Sequence, residues 1–234
     1  MYEYKYPHPA ITTDAVVFGF DGRALHILLV ERGAEPYKGC WALPGGFMKI
    51  DETVEQCARR ELKEETGISN VYLEQFHTFS NVGRDPRERV VTVAFVALVR
   101  KSDFRLLAGD DAARAGWFGM DELPPLAFDH DDIISMAREH LRRVLRDRPI
   151  AFKLLDETFS MSELQRLYEA INGRTYDRRN FYKKMTSTGF LQNEATENCI
   201  GSTGTRASQL YSFDETAFEE DDTIETKGRN PFGI

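Results

Sequence analysis

The stretch Gly46 to Ile68, GFMKIDETVEQCARRELKEETGI, constrains this chain more than any other: it must close a glycine turn, run a helix and set three acids near that helix's end. At about 100° per residue, with Glu61 at zero, Glu64 falls near −60° and Glu65 near +40°. On the same scale Val54, Cys57 and Ala58 fall near +20°, −40° and +60°, so the acids continue a face that the apolar first half turns inward. Carboxylates on an inward face repel one another and lose hydration. A hard divalent cation with oxygen ligands relieves both, and Mg²⁺ binds best where the phosphates of a ligand complete its octahedron. Gly45 and Gly46, after Pro44, let the turn run close enough to offer a backbone carbonyl to the same ion. Arg60 stands four residues before Glu64 and is placed to orient it by an ion pair. For Glu61-x-x-Glu64-Glu65 taken alone, the alternative is a solvated, charge-rich helix.

Around this stretch the pattern alternates strands and helices. Ile11 to Phe20 and Ala24 to Gly33 flank the turn Asp21-Gly22-Arg23 and form a hairpin signal. WALPGGF is strand-like, and Asn70 to Ser80 and Glu88 to Arg100 follow the acidic helix as strands. The last is the most apolar run and is expected at the centre of a sheet. Ala115 to Phe118 reads as a short strand, and Asp131 to Arg146 as a helix with the stripe Ile133, Ala137, Leu141 and Val144. Between two strands, GRDPRERV gathers Arg84, Arg87 and Arg89 about the Asp85-Pro86 turn, where guanidiniums can grip a diphosphate or ribose. His130, beside Asp129, is a further ligand-binding candidate, weighed against a structural, hydrogen-bonded histidine.

After Arg148 and Pro149 the pattern changes, which sets the expected domains at 1–149 and 150–234. Ser160 and Glu163 form a capping box before the stripe Leu164, Leu167, Tyr168, Ile171, and Gly173 ends that helix. Asp177 is the expected N-cap of a second helix, Arg178 to about Ser187. Its Phe181, Tyr182 and Met185 share one face, and Arg179, Asn180, Lys183 and Lys184 the other. Two short helices followed by FLQNEA, a polar loop and QLYSF read as a winged helix. Arg178, Arg179, Asn180, Lys183 and Lys184 are then the residues for double-stranded DNA, with Arg206 on the wing touching phosphate. Against this, residues 151–234 carry ten Lys or Arg and fourteen Asp or Glu, a net charge of −4. A packing or dimerisation role for the winged helix is therefore the competing reading.

Composition narrows the remaining classes. With 234 residues, 41% of them hydrophobic, there is chain for two cores. No segment approaches the ~20 apolar residues of a membrane span, and a cytoplasmic protein is expected. Cys40, Cys57 and Cys199 are odd in number and lack a C-x-x-C spacing, so reduced thiols are expected.

Gly46, Glu52, Arg60, Glu61, Leu62, Glu64, Glu65, Gly67 and Ile68 meet every position of a Gly, five residues, Glu, seven residues, Arg-Glu-aliphatic-x-Glu-Glu-x-Gly-aliphatic pattern. The stretch thus resembles the Nudix box, a match expected by chance on the order of once in ten million chains of this length. The resemblance implies an α/β/α sandwich with a mixed sheet and a pyrophosphohydrolase that cleaves a nucleoside diphosphate linked to another group. It implies Mg²⁺ or Mn²⁺ held by Glu61 and Glu65, with Glu64 a ligand or base and Gly45 a carbonyl donor. Glu52 and Arg60, with Glu64 and Glu65, make up the catalytic set, and Arg84, Arg87 and His130 the substrate set. LPGGF, RDPRERVV, LPPLAFDH, LQRLYEAINGRTYDRRNFYKKM and ASQLYSF extend the similarity over nearly the whole chain. They resemble a bacterial family of Nudix-related transcription regulators, which implies an ADP-ribose-like or nucleotide-sugar ligand, DNA binding and a homodimer. Boxes in that family are often degenerate, whereas this one is complete. The expectation is a Mg²⁺-dependent hydrolase of an ADP-ribose-like compound with a winged-helix DNA-binding domain. Its alternative is a DNA-binding regulator that senses such a ligand with little turnover.

Overall fold

The structure, a computed structural model, describes residues 5–101, 114–194, 197–201, 204–220 and 232–233, with the side chains of 197–201 and 204–208 outside the description. Two compact units emerge: Met1–Gly19 with His26–Arg138, and Phe20–Leu25 with Glu139–Ile234. The cut between the units lies between Arg138 and Glu139, inside a helix.

The first unit is built on one seven-stranded sheet. Its central path runs β3 (Trp41–Ala42), β2 (Leu25–Glu31), β1 (Ala10–Phe20), β6 (Val90–Arg100), β5 (Tyr72–Phe79). β4 (Gly45–Phe47) pairs with β1, and β7 (Ala115–Gly119) with β2. The β1–β2 turn forms because Asp21 Oδ1 accepts from the N–H groups of Arg23 (3.0 Å) and Ala24 (2.9 Å). β6 lies inside the sheet, as its apolar run requires. In β1 both Ala15 and Val17 and the alternate Val16 and Phe18 are buried, so both sheet faces are covered.

Helix α1 (Val54–Thr66) covers one face: its Leu62, with Ile68 just beyond, packs in a cluster with Ala15, Val17, Leu28, Ala97 and Val99. Thr53 and Gln56 form a capping box at its start, and Gly67, at φ 76°, closes it in the left-handed conformation. Helix α2 (His130–Val144) buries Ile133, Ala137 and Leu141 as expected, while Leu145 rather than Val144 completes the buried line.

In the second unit a 3-10 turn, Pro149–Leu154, precedes β8 (Phe159–Ser160), α3 (Met161–Asn172) and α4 (Arg178–Thr186). Ser160 and Glu163 make the capping box of α3, whose Leu164, Leu167, Tyr168 and Ile171 are buried. Asp177 caps α4 through Asn180 N–H (2.9 Å). β9 (Leu191–Asn193) and β12 (Leu210–Phe213) join β8 in a three-stranded sheet ordered β8-β12-β9. Between them β10 (Glu197–Gly201) and β11 (Gly204–Ser208) form the antiparallel hairpin expected as the wing. A last short helix, α5 (Glu215–Glu219), lies in the first part of the acidic tail. Phe152, stacked on Phe213 at 4.3 Å, belongs to an aromatic cluster that also takes in Phe159, Phe218 and Phe232. Among the described residues no helix is long and apolar enough to cross a membrane.

Candidate functional site

The box glutamates do not share one fate. Glu65 turns in and accepts from the Gly45 N–H at 2.9 Å. The Glu61 carboxylate lies against Gly46, where an added Cβ would meet its oxygen at 2.5 Å. Glu64 faces solvent, its side chain 57% exposed, which corrects the expectation that all three acids gather on the inward face. The reason lies in residues the stripe omitted: Leu62 and Thr66 are buried along with Cys57 and Ala58 and rotate the buried arc toward Glu65 and away from Glu64. Among the described residues no three His, Cys, Asp or Glu side chains stand together as a metal-holding group. Gly45 enters through its N–H; any side chain there would run into the Thr13 carbonyl at 2.0 Å.

Arg60 binds the acids together. Its guanidinium donates to both Glu52 oxygens (Nη2–Oε1 2.6 Å, Nε–Oε2 2.9 Å), to Glu61 at 2.6 Å and to Glu64 at 3.1 Å. Glu52, rather than the Glu64 four residues on, is thus its principal partner. These bonds hold the Glu52 carboxyl down at about 2 and raise the arginine further above its ordinary range. Burial pushes the Glu65 carboxyl up to about 7; the nearby charges of Glu61 and Asp14 add to the rise, and the Gly45 N–H and Arg32 oppose it. Buried Cys57 accepts from Thr13 Oγ1 at 3.3 Å, and burial raises its thiol to about 11, so it is a core residue and no nucleophile.

Glu65 opens on a cavity of about 280 Å³ within the first unit. Asp14, Arg84 and His130 share its wall, and Asp14 is a residue that sequence reading missed. A carboxylate inside a largely apolar strand was the available signal. Arg84, 5% exposed, donates twice to Asp129 (2.6 and 3.0 Å) and pairs with Asp14 at 3.4 Å. His130 accepts from the Leu43 N–H on Nδ1 (2.9 Å) and sets Nε2 3.6 Å from Asp14 Oδ1. Burial lowers its pKa although Asp14 opposes the shift, so the neutral ring carries its proton toward Asp14. Of the expected ligand-binding residues, Arg84 is thus held by Asp129 and Asp14, and His130 faces Asp14. Arg87 is different: 41% exposed, it pairs with Asp85 at 2.7 Å and lies 5.3 Å over Phe47 and 5.7 Å over Phe128. Arg32, absent from the sequence-based set, covers Phe128 at 4.7 Å. The cavity wall thus carries Asp14, Glu65 and Asp85 together with guanidiniums, two of which, Arg32 and Arg87, lie over the Phe128 ring.

In the second unit, α4 buries Phe181 and Met185 and leaves Arg178, Arg179, Asn180 and Lys183 exposed, with Lys184 half-buried. Tyr182, expected on the packing face, is 47% exposed; its hydroxyl lies 3.3 Å from that of Tyr211. Arg206 sits on wing strand β11, and its side chain lies outside the described residues. Cys199 lies on the facing strand β10, its side chain likewise outside the described residues, while Cys40 and Cys57 are free thiols.

Comparison with known proteins agrees with this division. Residues 8–137 match the NUDIX domain model, and residues 151–213 match the NrtR DNA-binding winged helix domain. The ADPR responsive transcriptional repressor NtrR of Acinetobacter baylyi is 35% identical over 212 residues, covering 89% of this chain and 83% of the relative. The ADP-ribose pyrophosphatase of Methanocaldococcus jannaschii is 42% identical over 129 residues, covering 55% of this chain and 73% of the relative. The crystal structure of Shewanella oneidensis NrtR complexed with a 27mer DNA superposes with a TM-score of 0.75 at 32% identity, over 87% of this chain and 93% of that one.

Proposed function

Because this chain belongs to the Nudix family and carries an NrtR-type DNA-binding winged helix behind its Nudix domain, we propose that it is a transcriptional regulator whose Nudix cavity binds ADP-ribose or a close relative. In this reading residues 1–149 form the ligand-binding domain and residues 150–234 the DNA-binding one, and the protein works as a cytoplasmic homodimer. The observation that carries it is the exposed basic face of α4, Arg178, Arg179 and Lys183, in a unit separate from the diphosphate-sized cavity. This reverses the order of the two expectations. A gel shift with DNA from upstream of its own gene cluster tests it. Arg179→Ala with Lys183→Ala abolishes the shift; an unchanged shift defeats the assignment of α4.

A second reading, retained hydrolysis, is favoured by the complete box. As they stand these acids do not close a three-residue cluster, but Glu65 and Glu61 flank the Gly45–Gly46 turn, and the charges of Glu61 and Asp14 add to the burial that raises Glu65, a cost that a divalent cation would remove. Glu61 and Glu65 would hold Mg²⁺ or Mn²⁺, with the outward Glu64 recruited on binding, and the ion would neutralise diphosphate charge. Arg60 orients Glu61 through their 2.6 Å contact and keeps Glu52 ionised. Arg87 over Phe47 and Phe128 offers the guanidinium for the diphosphate. Incubation with ADP-ribose and Mg²⁺ releases AMP from the wild type and not from Glu65→Gln. Absence of release from both leaves ligand sensing alone.

A further inference from the structure

The second unit contains another cavity, of about 380 Å³, that no role above uses. Its wall joins Arg142, Arg143 and Arg146, at the end of α2 and just beyond it, to Arg174 in the turn between α3 and α4. Among the described residues of the wall the acid is Glu139, which is paired with Arg142, and Arg143 and Arg146 place two further guanidiniums beside that pair. Arg142 is fixed from behind by donating Nε to the Ile171 carbonyl at 2.8 Å. Arg174 lies 4.9 Å over the Tyr176 ring and donates to its hydroxyl at 3.1 Å.

Tyr168 adds a second, independent sign. It lies in the same wall, 1% exposed, and its hydroxyl has no hydrogen-bond partner among the described residues. Burial and the adjacent Tyr176 phenol keep that hydroxyl protonated, hence a donor. Guanidiniums have donors and no acceptors, so the wall is matched by a molecule that is all acceptor and carries negative charge. The volume suits a small molecule. A DNA backbone would instead meet the open face of α4.

We propose that this cavity binds a small phosphorylated metabolite through Arg143 and Arg146, with the Tyr168 hydroxyl in its wall as a further donor. The site bears directly on α4. Tyr176 N–H donates to Glu169 and its carbonyl accepts from Gln165, both at 2.9 Å, and the next residue, Asp177, caps α4. An occupant therefore braces the start of the helix assigned above to DNA, so its regulatory meaning rests on that assignment while its existence does not.

Hydrogen exchange of the full-length protein in millimolar inorganic phosphate, against chloride at equal ionic strength, tests the site. Slowed exchange is expected in peptides spanning 139–146 and 168–178. Arg143→Ala with Arg146→Ala should weaken this protection at least tenfold, and the double Lys substitution should retain part of it, with thermal unfolding of both variants unchanged. Protection absent from the wild type, or equal in the Ala variant, overturns the proposal. So does protection of these peptides by duplex DNA and not by phosphate, which would make the wall a nucleic-acid contact. A protein that fails to bind DNA yet shows the phosphate effect defeats the regulator reading alone.

Discussion

Gly45 and Gly46 are neighbours with opposite reasons to be glycine. A Cβ at Gly45 meets backbone, the Thr13 carbonyl at 2.0 Å, whereas at Gly46 it meets the Glu61 carboxylate, the far end of a flexible side chain. Gly45→Ala should therefore destabilise the fold by more than ~2 kcal/mol. Gly46→Ala should cost under ~1 kcal/mol and displace Glu61, losing turnover or ligand affinity instead. Denaturant melts alongside ligand titration separate the two. Glu65 makes a pH prediction. Its folded pKa of about 7 exceeds the ordinary 4.5, so the folded state holds the proton more tightly. Its contribution is full below about 4.5 and is lost as pH rises through about 7. Metal-free wild type should lose stability across that window relative to Glu65→Gln, by on the order of 3 kcal/mol at most. Melts of both proteins in EDTA across the window check this, and parallel curves would contradict it. Spacing alone identified the Arg60 and Glu65 positions because helix periodicity is local. Asp14 and the outward turn of Glu64 depend on which residues the sheet buries, and that is tertiary information.

At the scale of elements, the helices were legible because their ends carry their own signals. Ser160 with Glu163 and Asp177 cap as read from the sequence, and the structure adds Thr53 with Gln56 at the start of α1. Ser160→Ala should cost ~1 kcal/mol by removing a side chain that accepts from Glu163 N–H. Leu167→Ala, in a fully buried position of α3, should cost about 2–5 kcal/mol. Urea titration measures both. The exposed pair Arg179→Ala and Lys183→Ala should change stability by no more than ~0.5 kcal/mol each while removing DNA binding. What stayed hidden were the 3-10 turn Pro149–Leu154, helix α5 and the phenylalanine cluster around Phe152. Each is held by contacts between segments far apart in sequence, and five residues of α5 offer too few turns for periodicity to register.

At the scale of the whole molecule, a net charge of −8 makes general attraction to DNA unfavourable. On the proposed reading, binding comes from the local basic face of α4 and weakens steeply with salt as phosphate contacts release counterions. The family assignment, the box and the winged helix were all legible in sequence, since motifs and caps are short-range. The course of coupling between cavity and helix was not, because it depends on which states each ligand prefers. The most direct measurement is the affinity of the full-length protein for its upstream DNA, by fluorescence anisotropy, titrated with ADP-ribose in EDTA to prevent turnover. A shift in Kd of about 5- to 150-fold is predicted. ADP-ribose that binds by calorimetry but leaves the DNA Kd unchanged would contradict the account.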